Sequence, residues 1–429
     1  MTTPLKYKWL SVRLGDVAEF RNGVNYSKAN FGKGVKVIGV SDFQDNVKAS
    51  FGQLEEINPA GVVRKEHYLK DGDILFVRSN GNRDLIGRSM FVENPPEEVT
   101  HSAFSIRLRF VRKDCLPRFY AYVLRSPLFR QSLSLHGGGT NISNLNQDIL
   151  GRLQVPLPPR PIQHQIASIL SAYDDLIENN THRIKILEET AQMIYREWFV
   201  NFRFPGHEDR TFLESEWGRI PEGWSQPYPD YVDFLEGPGL RRWQYRDSGL
   251  RFLNIRTIAD GDIDLSKTQF VDPEEAEAKY KHFLLSEFDH VVSSSGTIGR
   301  IVTVRREHLP LMLNTSVIRM RPKSESVGRW QLKHFLKSDY FQTQIKAFAS
   351  GVAQMNFGPS HLKLMKIIAP PDEIGREYES LVGPMEELIC TLTANNAVLR
   401  NTRDLLLPKL ISGQVCVEQL EIETASPIL

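Results

Sequence analysis

Apolar and polar positions along this chain change their period twice, in the same order each time. Short runs rich in β-branched and aromatic residues, VKVIGV at 35–40, DILFV at 73–77, SMFV at 89–92 and FSIRLRFV at 104–111, are bounded by Gly, Asn and Pro, which predicts strands. PRFYAYVLRSPLFRQSL at 117–133 then carries apolar residues at helical spacing and predicts helices packed on a sheet. After the prolines of PLPPRPIQHQIASIL at 156–170 a narrow apolar stripe steps by three and four through Ile162, Ile166, Ile169, Tyr173, Leu176, Ile184, Leu187, Ala191, Ile194 and Trp198, with Asn180 as its polar interruption. A second cycle follows: RFLNI, HVVSS, RIVTV and SVIRM as strands, WQLKHFLKSDYFQTQI as helix, then a stripe of Ile374, Tyr378, Leu381, Met385, Leu388, Leu392, Leu399, Leu406 and Leu410, interrupted at Asn395 and Thr402. Stripes this narrow and long predict two coiled-coil helices of roughly 40 residues, about 60 Å each at 1.5 Å per residue. Pro384 and Pro408 predict a kink or break in the second.

The two cycles are one sequence repeated at an offset of 212 to 215. VIGVSDF at 37–43 lies over FLNIRTI at 252–258, and DGDILFVRSNG at 71–81 over SEFDHVVSSSG at 286–296. IGR recurs at 86–88 and 298–300, FYAYVLRSPLF at 119–129 meets QLKHFLKSDYF at 331–341, Asn144 meets Asn356, and Pro158-Pro159 meets Pro370-Pro371. Low identity in strict order predicts two copies of one α/β fold with diverged surfaces. A whole copy must be built between the two long helices, so they are expected to pack antiparallel as a coiled coil, giving a dumbbell. The expected segments are 1–155 and 205–367 for the α/β domains, with 156–204 and 368–429 helical.

Composition adds a contrast that the sum conceals. The net charge of the 429 residues is +1, yet residues 1–160 hold 23 Lys+Arg against 15 Asp+Glu and residues 161–200 hold 3 against 6. The second cycle repeats this, with 23 against 21 over 201–371 and 4 against 10 over 372–429. Basic-to-neutral globular parts suit a polyanion, and acidic helices suit protein contacts. The N-terminal MTTPLKYKWL lacks an apolar core and no run of about 18 apolar residues occurs, so a cytoplasmic location is the expectation. Cys115, Cys390 and Cys416 form no CxxC pair, so neither a zinc site nor a disulfide framework is indicated.

Catalytic constellations are thin. GNRDLIGRS at 81–89 departs from a P-loop in spacing and has Arg88 in place of the phosphate-binding Lys. ENPPEE at 93–98 has Glu97 where a base-stacking NPP motif needs an aromatic ring. Glu277-Ala278-Lys279 reads as a charged helical turn rather than half a nuclease site. No metal ligand set, cofactor loop or catalytic residue is assigned.

What recurs is polar loop chemistry. One loop offers Arg78, Ser79, Asn80, Asn82, Arg83 and Arg88, and its counterpart offers Ser294, Ser295, Thr297 and Arg300. A second, HGGGTNISNLN at 136–146, offers Thr140, Asn141 and Asn144, against Gln354 and Asn356 in SGVAQMNFGPS at 350–360. Arg pairs with guanine edges, Asn and Gln with adenine edges, and Ser or Thr with bases or phosphates, so DNA contact is the expected use. An Asx-rich turn without a ligand is the alternative at any single position.

At this point the chain resembles the specificity subunits of type I restriction-modification systems. The resemblance rests on LPPRPIQHQIASILSAYDDLIENN at 157–180 running to LEETAQMIYREWFVNF at 187–202, on WGRIPEGW at 217–224 opening a second variable region, and on LRNTRDLLLPKLISGQV at 399–415. It implies two target recognition domains, each reading half of a split target in double-stranded DNA, and helices that space them and dock partners. Catalysis is then carried by others: two modification (methyltransferase) subunits using S-adenosylmethionine, and a restriction subunit that translocates and cleaves with ATP and Mg. The chain itself is expected to be no enzyme and to bind no cofactor. PPDEIGRE at 370–377 departs from the family, which usually has a Gln after these prolines. A stand-alone methyltransferase or nuclease, and a coiled-coil scaffold that binds no DNA, are the alternatives.

Overall fold

A computed structural model describes residues 9–43, 46–82, 85–136, 144–215, 218–259, 261–349 and 356–417. The chain divides into two compact units, residues 1–178 with 397–429, and residues 179–396.

In the first unit the central sheet is antiparallel with strand order Ala18–Asn22, Ser105–Phe110, Ile74–Val77, Ser89–Phe91. A smaller sheet sets Phe31–Ile38 between Glu55–Ile57 and a parallel partner, Val99–His101. Strand Ile74–Val77 is buried on both faces, which explains its unbroken apolar run. The second unit repeats the order with Val232–Glu236, Val317–Pro322, His290–Ser293 and Ile301–Thr303, and again pairs Leu250–Leu253 in parallel with Leu311–Leu313. From the fourth strand of the central sheet onward the offset is 212 throughout: Ser89–Phe91 answers Ile301–Thr303, Pro117–Val123 answers Arg329–Lys337, and Arg160–Phe199 answers Asp372–Ile411. The α/β class and the repeated fold stand as expected.

One alignment needs correction. Leu75 pairs with Arg107 and Val291 with Arg319, so Leu75 answers Val291 at an offset of 216. Reading 71–81 over 286–296 slips this strand by one residue, which exchanges its two faces. The corrected register exposes a shared device. Arg109 grips the fully buried Asp73 by two hydrogen bonds of 2.6 Å, and Arg321 grips Asp289 in the same way. Each carboxylate also receives a backbone N–H at 2.7 Å, from Lys70 and Ser286 respectively. A buried carboxylate with an Arg fork and a backbone donor is satisfied on both oxygens, so it holds its turn without an unpaired charge.

The long helices run Arg160–Phe199 and Asp372–Ile411. Pro384 and Pro408 do not break the second: the carbonyls they leave without an N–H partner belong to the exposed residues Ser380 and Asp404, where water can serve them. The helix ends where Gly413 takes φ +73, a conformation open to glycine. In the second unit the helices run antiparallel, since Asn180 meets Asn396 while Phe199 meets Tyr378 with ring centroids 4.9 Å apart. In the first unit Ile162, Ile166 and Leu170 share a core with Leu407, Leu410 and Ile411.

The seam is shifted from the apolar stripe in places. Ile162, Ile166, Ile374 and Tyr378 are buried, and Ile169, Tyr173, Ile184, Leu187, Ile194, Leu388, Leu399 and Leu406 are half-buried. Leu176 and Leu381 are exposed at 48% and 43%, and their neighbours Ile177 and Val382 take the buried positions. Asn396, not Asn395, is the buried amide of the second helix.

Polar residues dock each copy on its helices at equivalent places. Tyr122 donates to Asp174 at 2.7 Å in the first unit, with Arg403 on the same carboxylate. The counterparts 212 residues on are His334 and Glu386, joined at 2.8 Å, with Lys333 on that carboxylate. Burial alone would raise the Glu386 carboxyl, but the His334 hydrogen bond and the Lys333 charge hold it down to about 2. Gln163 is fully buried, donating to the carbonyls of Asp114 and Pro158 at 2.8 Å and accepting from the Leu116 N–H at 2.7 Å. Its counterpart is Gly375, where any Cβ would collide with the carbonyls of Glu325 and Ser326. The departure at PPDEIGRE is therefore a different solution: the backbone closes directly on the helix instead of bonding to a Gln.

Candidate nucleic-acid interface

Four segments meet at one edge of each central sheet, tied by backbone hydrogen bonds of which three recur in both copies; the fourth, from the Val24 N–H, has no counterpart because Pro238 stands at that place in the second copy. In the first copy the chain leaves strand Ala18–Asn22 and Val24 exchanges bonds of 2.8 Å with His101 and Ala103. Arg78 N–H donates to Phe104 at 2.7 Å, and Leu145 N–H donates to Arg78 at 2.9 Å. In the second copy Thr315 N–H donates to Pro238 at 3.0 Å, Ser294 N–H to Ser316 at 2.9 Å, and Phe357 N–H to Ser294 at 3.0 Å. Gly23 and Gly237 are required here, since a Cβ on either would overlap the backbone of His101 or Asn314. Both polar loops expected from the sequence thus converge, together with two segments the sequence did not single out.

The expected contact residues take different places on this edge. Arg78, Ser79 and Asn80 are half-buried, with Asn80 accepting the Asn82 N–H at 2.7 Å in an Asx turn that presents the exposed tip at 81–82. Arg88 is half-buried on the return, close after Gly87 at φ +77. Asn144 is exposed, as is Asn356, which forms a β-bridge with the half-buried Ser295. Thr297 and Arg300 are exposed, and the Arg300 guanidinium also donates to the Ile258 carbonyl at 3.3 Å. Ser294 departs from expectation: it is 1% exposed, and its backbone clamps two neighbouring segments while its hydroxyl faces inward. Arg83, Thr140, Asn141 and Gln354 lie outside the described residues. The loop after the buried strand is four residues longer in the first copy, because the offset falls from 216 to 212 across it.

The missed segment is a single helical turn, Lys28–Asn30 in the first copy and Arg242–Gln244 in the second. Each is closed by a side chain: Asn30 accepts the Ser27 N–H at 2.9 Å, and Gln244 accepts the Arg241 N–H at 2.9 Å. The repeat offset of 214 links them, and that was the available signal.

The edge is built for hydrogen bonding and charge. Its exposed groups are amides, hydroxyls and guanidiniums on rigidly held loops, the complement of base edges and phosphates. Among the described residues no group of three or more His, Cys, Asp or Glu is placed to hold a metal ion. His101 and His290, the histidines nearest the sheets, are enclosed, and burial pushes both down to about 3. Among the described residues no helix is long and apolar enough to cross a membrane.

Two copies of a DNA-suited edge on paired long helices define a class, and comparison with known proteins agrees with it. Residues 6–189 match the family described as Type I restriction modification DNA specificity domain. The chain is 25% identical over 368 residues to the type I restriction enzyme MjaVIII specificity subunit of Methanocaldococcus jannaschii, covering 84% of this chain and 83% of the relative. It is 24% identical over 474 residues to the HindI specificity subunit of Haemophilus influenzae, covering 95% and 99%. The crystal structure of a type I restriction-modification system S subunit from M. genitalium superimposes over 96% of this chain and 98% of its own, with TM-score 0.60 and 15% identity, which carries the fold. Residues 6–189 thus carry the type I restriction modification DNA specificity domain, and over most of its length the chain is similar to specificity subunits of type I restriction enzymes.

Proposed function

We propose that each copy reads one half of a split DNA target through its four-segment edge, residues 1–155 serving one half and 205–367 the other. The observation that carries this is the edge itself: three of its backbone ties recur at equivalent positions, while the residues at its exposed tips differ between copies. A frame kept constant with variable tips is what two readers of different base pairs need. Within that frame Arg88, Arg300, Asn144 and Asn356 are the side chains aimed at DNA, and Arg78, Ser79, Asn80, Asn82, Ser295 and Thr297 line the same edge. The long helices and their acidic faces dock two methyltransferase subunits and a restriction subunit in the cytoplasm. S-adenosylmethionine, ATP and Mg belong to those partners.

Reconstitution tests this reading. The chain with its cognate methyltransferase and S-adenosylmethionine is expected to methylate DNA at one split sequence, and the purified chain alone none. Methyl transfer by the chain alone, or a complex that methylates without sequence preference, would overturn it.

A further inference from the structure

The turn at Arg242–Gln244 is more than a spacer. Gln244 is buried and makes three hydrogen bonds: it accepts from the Arg241 N–H at 2.9 Å and donates to Glu275 at 2.9 Å and to the Tyr280 hydroxyl at 3.0 Å. The Arg246 guanidinium adds a bond of 3.0 Å to the Trp243 carbonyl. A turn pinned at its base in this way holds its tip in one conformation. That tip is Arg241, Arg242 and Trp243, all exposed, and the Trp243 indole is 72% accessible, the highest value among the exposed large aromatic residues. The turn directly follows the segment that Pro238 and Leu240 tie to Thr315 and Asn314, one of the segments of the second copy's edge.

A single exposed apolar side chain is common on protein surfaces, so the indole takes its meaning from its setting. Its neighbours here are guanidiniums, which favour a polyanion over an apolar protein face. A flat indole set among arginines matches a nucleic-acid duplex, where the ring packs on sugar or base surfaces and the cations meet phosphates. The first copy supports the same use, because its equivalent turn keeps the side-chain closure by Asn30 yet carries Ser27, Lys28 and Ala29 at the tip. The frame is common and the tip is exchanged. A purely structural turn would have no reason to keep its side-chain closure while exchanging a small residue for an exposed indole.

We infer that residues 241–243 form a further DNA-contacting element of the second copy, with Trp243 packing on the duplex and Arg241 and Arg242 meeting its phosphates. Residues 27–29 form the corresponding, weaker element of the first copy. The inference rests on the proposal that these edges bind DNA.

The test uses the complex reconstituted with its methyltransferase subunits and a duplex carrying the split sequence that the unaltered complex methylates. Affinity is measured by fluorescence anisotropy over a salt series. Trp243→Ala is expected to weaken binding about 5- to 150-fold, in line with roughly 1 to 3 kcal/mol for an aromatic–base contact, and Trp243→Phe to recover most of it. Arg242→Ala is expected to lower the magnitude of the salt slope by about one unit, as for a lost phosphate contact. Lys28→Ala should lower the slope too, with little change in base preference. Unchanged affinity for Trp243→Ala, while Arg300→Ala in the same assay weakens binding, would overturn this inference and leave the DNA-reading proposal standing. Failure of Trp243→Ala to assemble with the methyltransferase would assign the turn to a protein contact and overturn it as well. If the unaltered complex binds no DNA, the parent proposal fails instead.

Discussion

Asn180 donates its side-chain amide to the side-chain oxygen of Asn396 at 3.0 Å, where the two long helices face each other in the second unit. The Asn396 side-chain amide in turn donates to the Thr181 hydroxyl at 3.2 Å. Both asparagines are at most 4% exposed, so the pair fixes register: a slide of either helix would set a buried amide against a hydrocarbon.

Removing one partner should therefore cost more than removing both. Asn396→Leu is expected to destabilise by roughly 1 to 3 kcal/mol, because it strands the Asn180 amide. The double Leu variant should recover most of that loss or exceed the parent in stability. Calorimetric unfolding of the three variants completes the cycle, and additive single effects would mean that the two amides do not act as a pair.

Gln163 and Gly375 occupy the same place and should fail in opposite ways. Gln163→Ala leaves the Leu116 N–H and two carbonyls without their partner, a loss on the order of 3 kcal/mol. Gly375→Gln should also destabilise, since its Cβ meets the carbonyls of Glu325 and Ser326. Limited proteolysis across 110–116 and 322–328 distinguishes the two: each variant should open its own copy and leave the other protected.

Acid should weaken both copies before their carboxylates are titrated. His101 faces Ser105 with Arg107, His67 and Arg109 nearby, and His290 lies between Thr303 and the Arg329 carbonyl with Lys333 and Glu386 nearby. Burial holds each at about 3, below the ordinary histidine value of 6.5. The unfolded chain thus binds protons that the folded chain refuses, and stability falls as pH drops from about 6.5 toward 3. At pH 5 the loss is about 2 kcal/mol for each histidine. His290→Gln should flatten the decline of Tm between pH 7 and 5 for the copy that contains it; an unchanged decline would mean that other groups dominate.

Legibility in the sequence followed periodicity. The repeat, the strands and the long helices were readable because apolar residues recur at fixed spacing. The one-residue slip at 71–81 arose because the following loop differs in length, and aligning Gly81 with Gly296 hides that difference. Leu176 and Leu381 drew the seam away from Ile177 and Val382 because adjacent apolar residues leave the stripe ambiguous. Asp174, Glu386 and Asn396 were missed since a buried polar residue with its own partner is invisible to a hydrophobic pattern. The turn at 241–243 was missed for a related reason: side-chain hydrogen bonds hold it, and its tip has no period.

Independence of the two edges is the remaining expectation. Each has its own sheet, its own buried Asp–Arg clasp and its own set of loop ties, so each is expected to read by itself. Replacing residues 1–155 with those of a relative of different specificity should alter one half of the methylated sequence and preserve the other. Single changes should act more narrowly. Asn144→Ala should relax preference at particular base pairs of the first half, and Arg300→Ala at particular base pairs of the second, each by about 1 to 3 kcal/mol if the contact is bidentate. Mapping methylated positions across a randomised target library reads all three variants. Loss spread evenly over every sequence would make these residues phosphate contacts, and a change in both halves from the replaced copy would mean that the division of reading between copies is wrong.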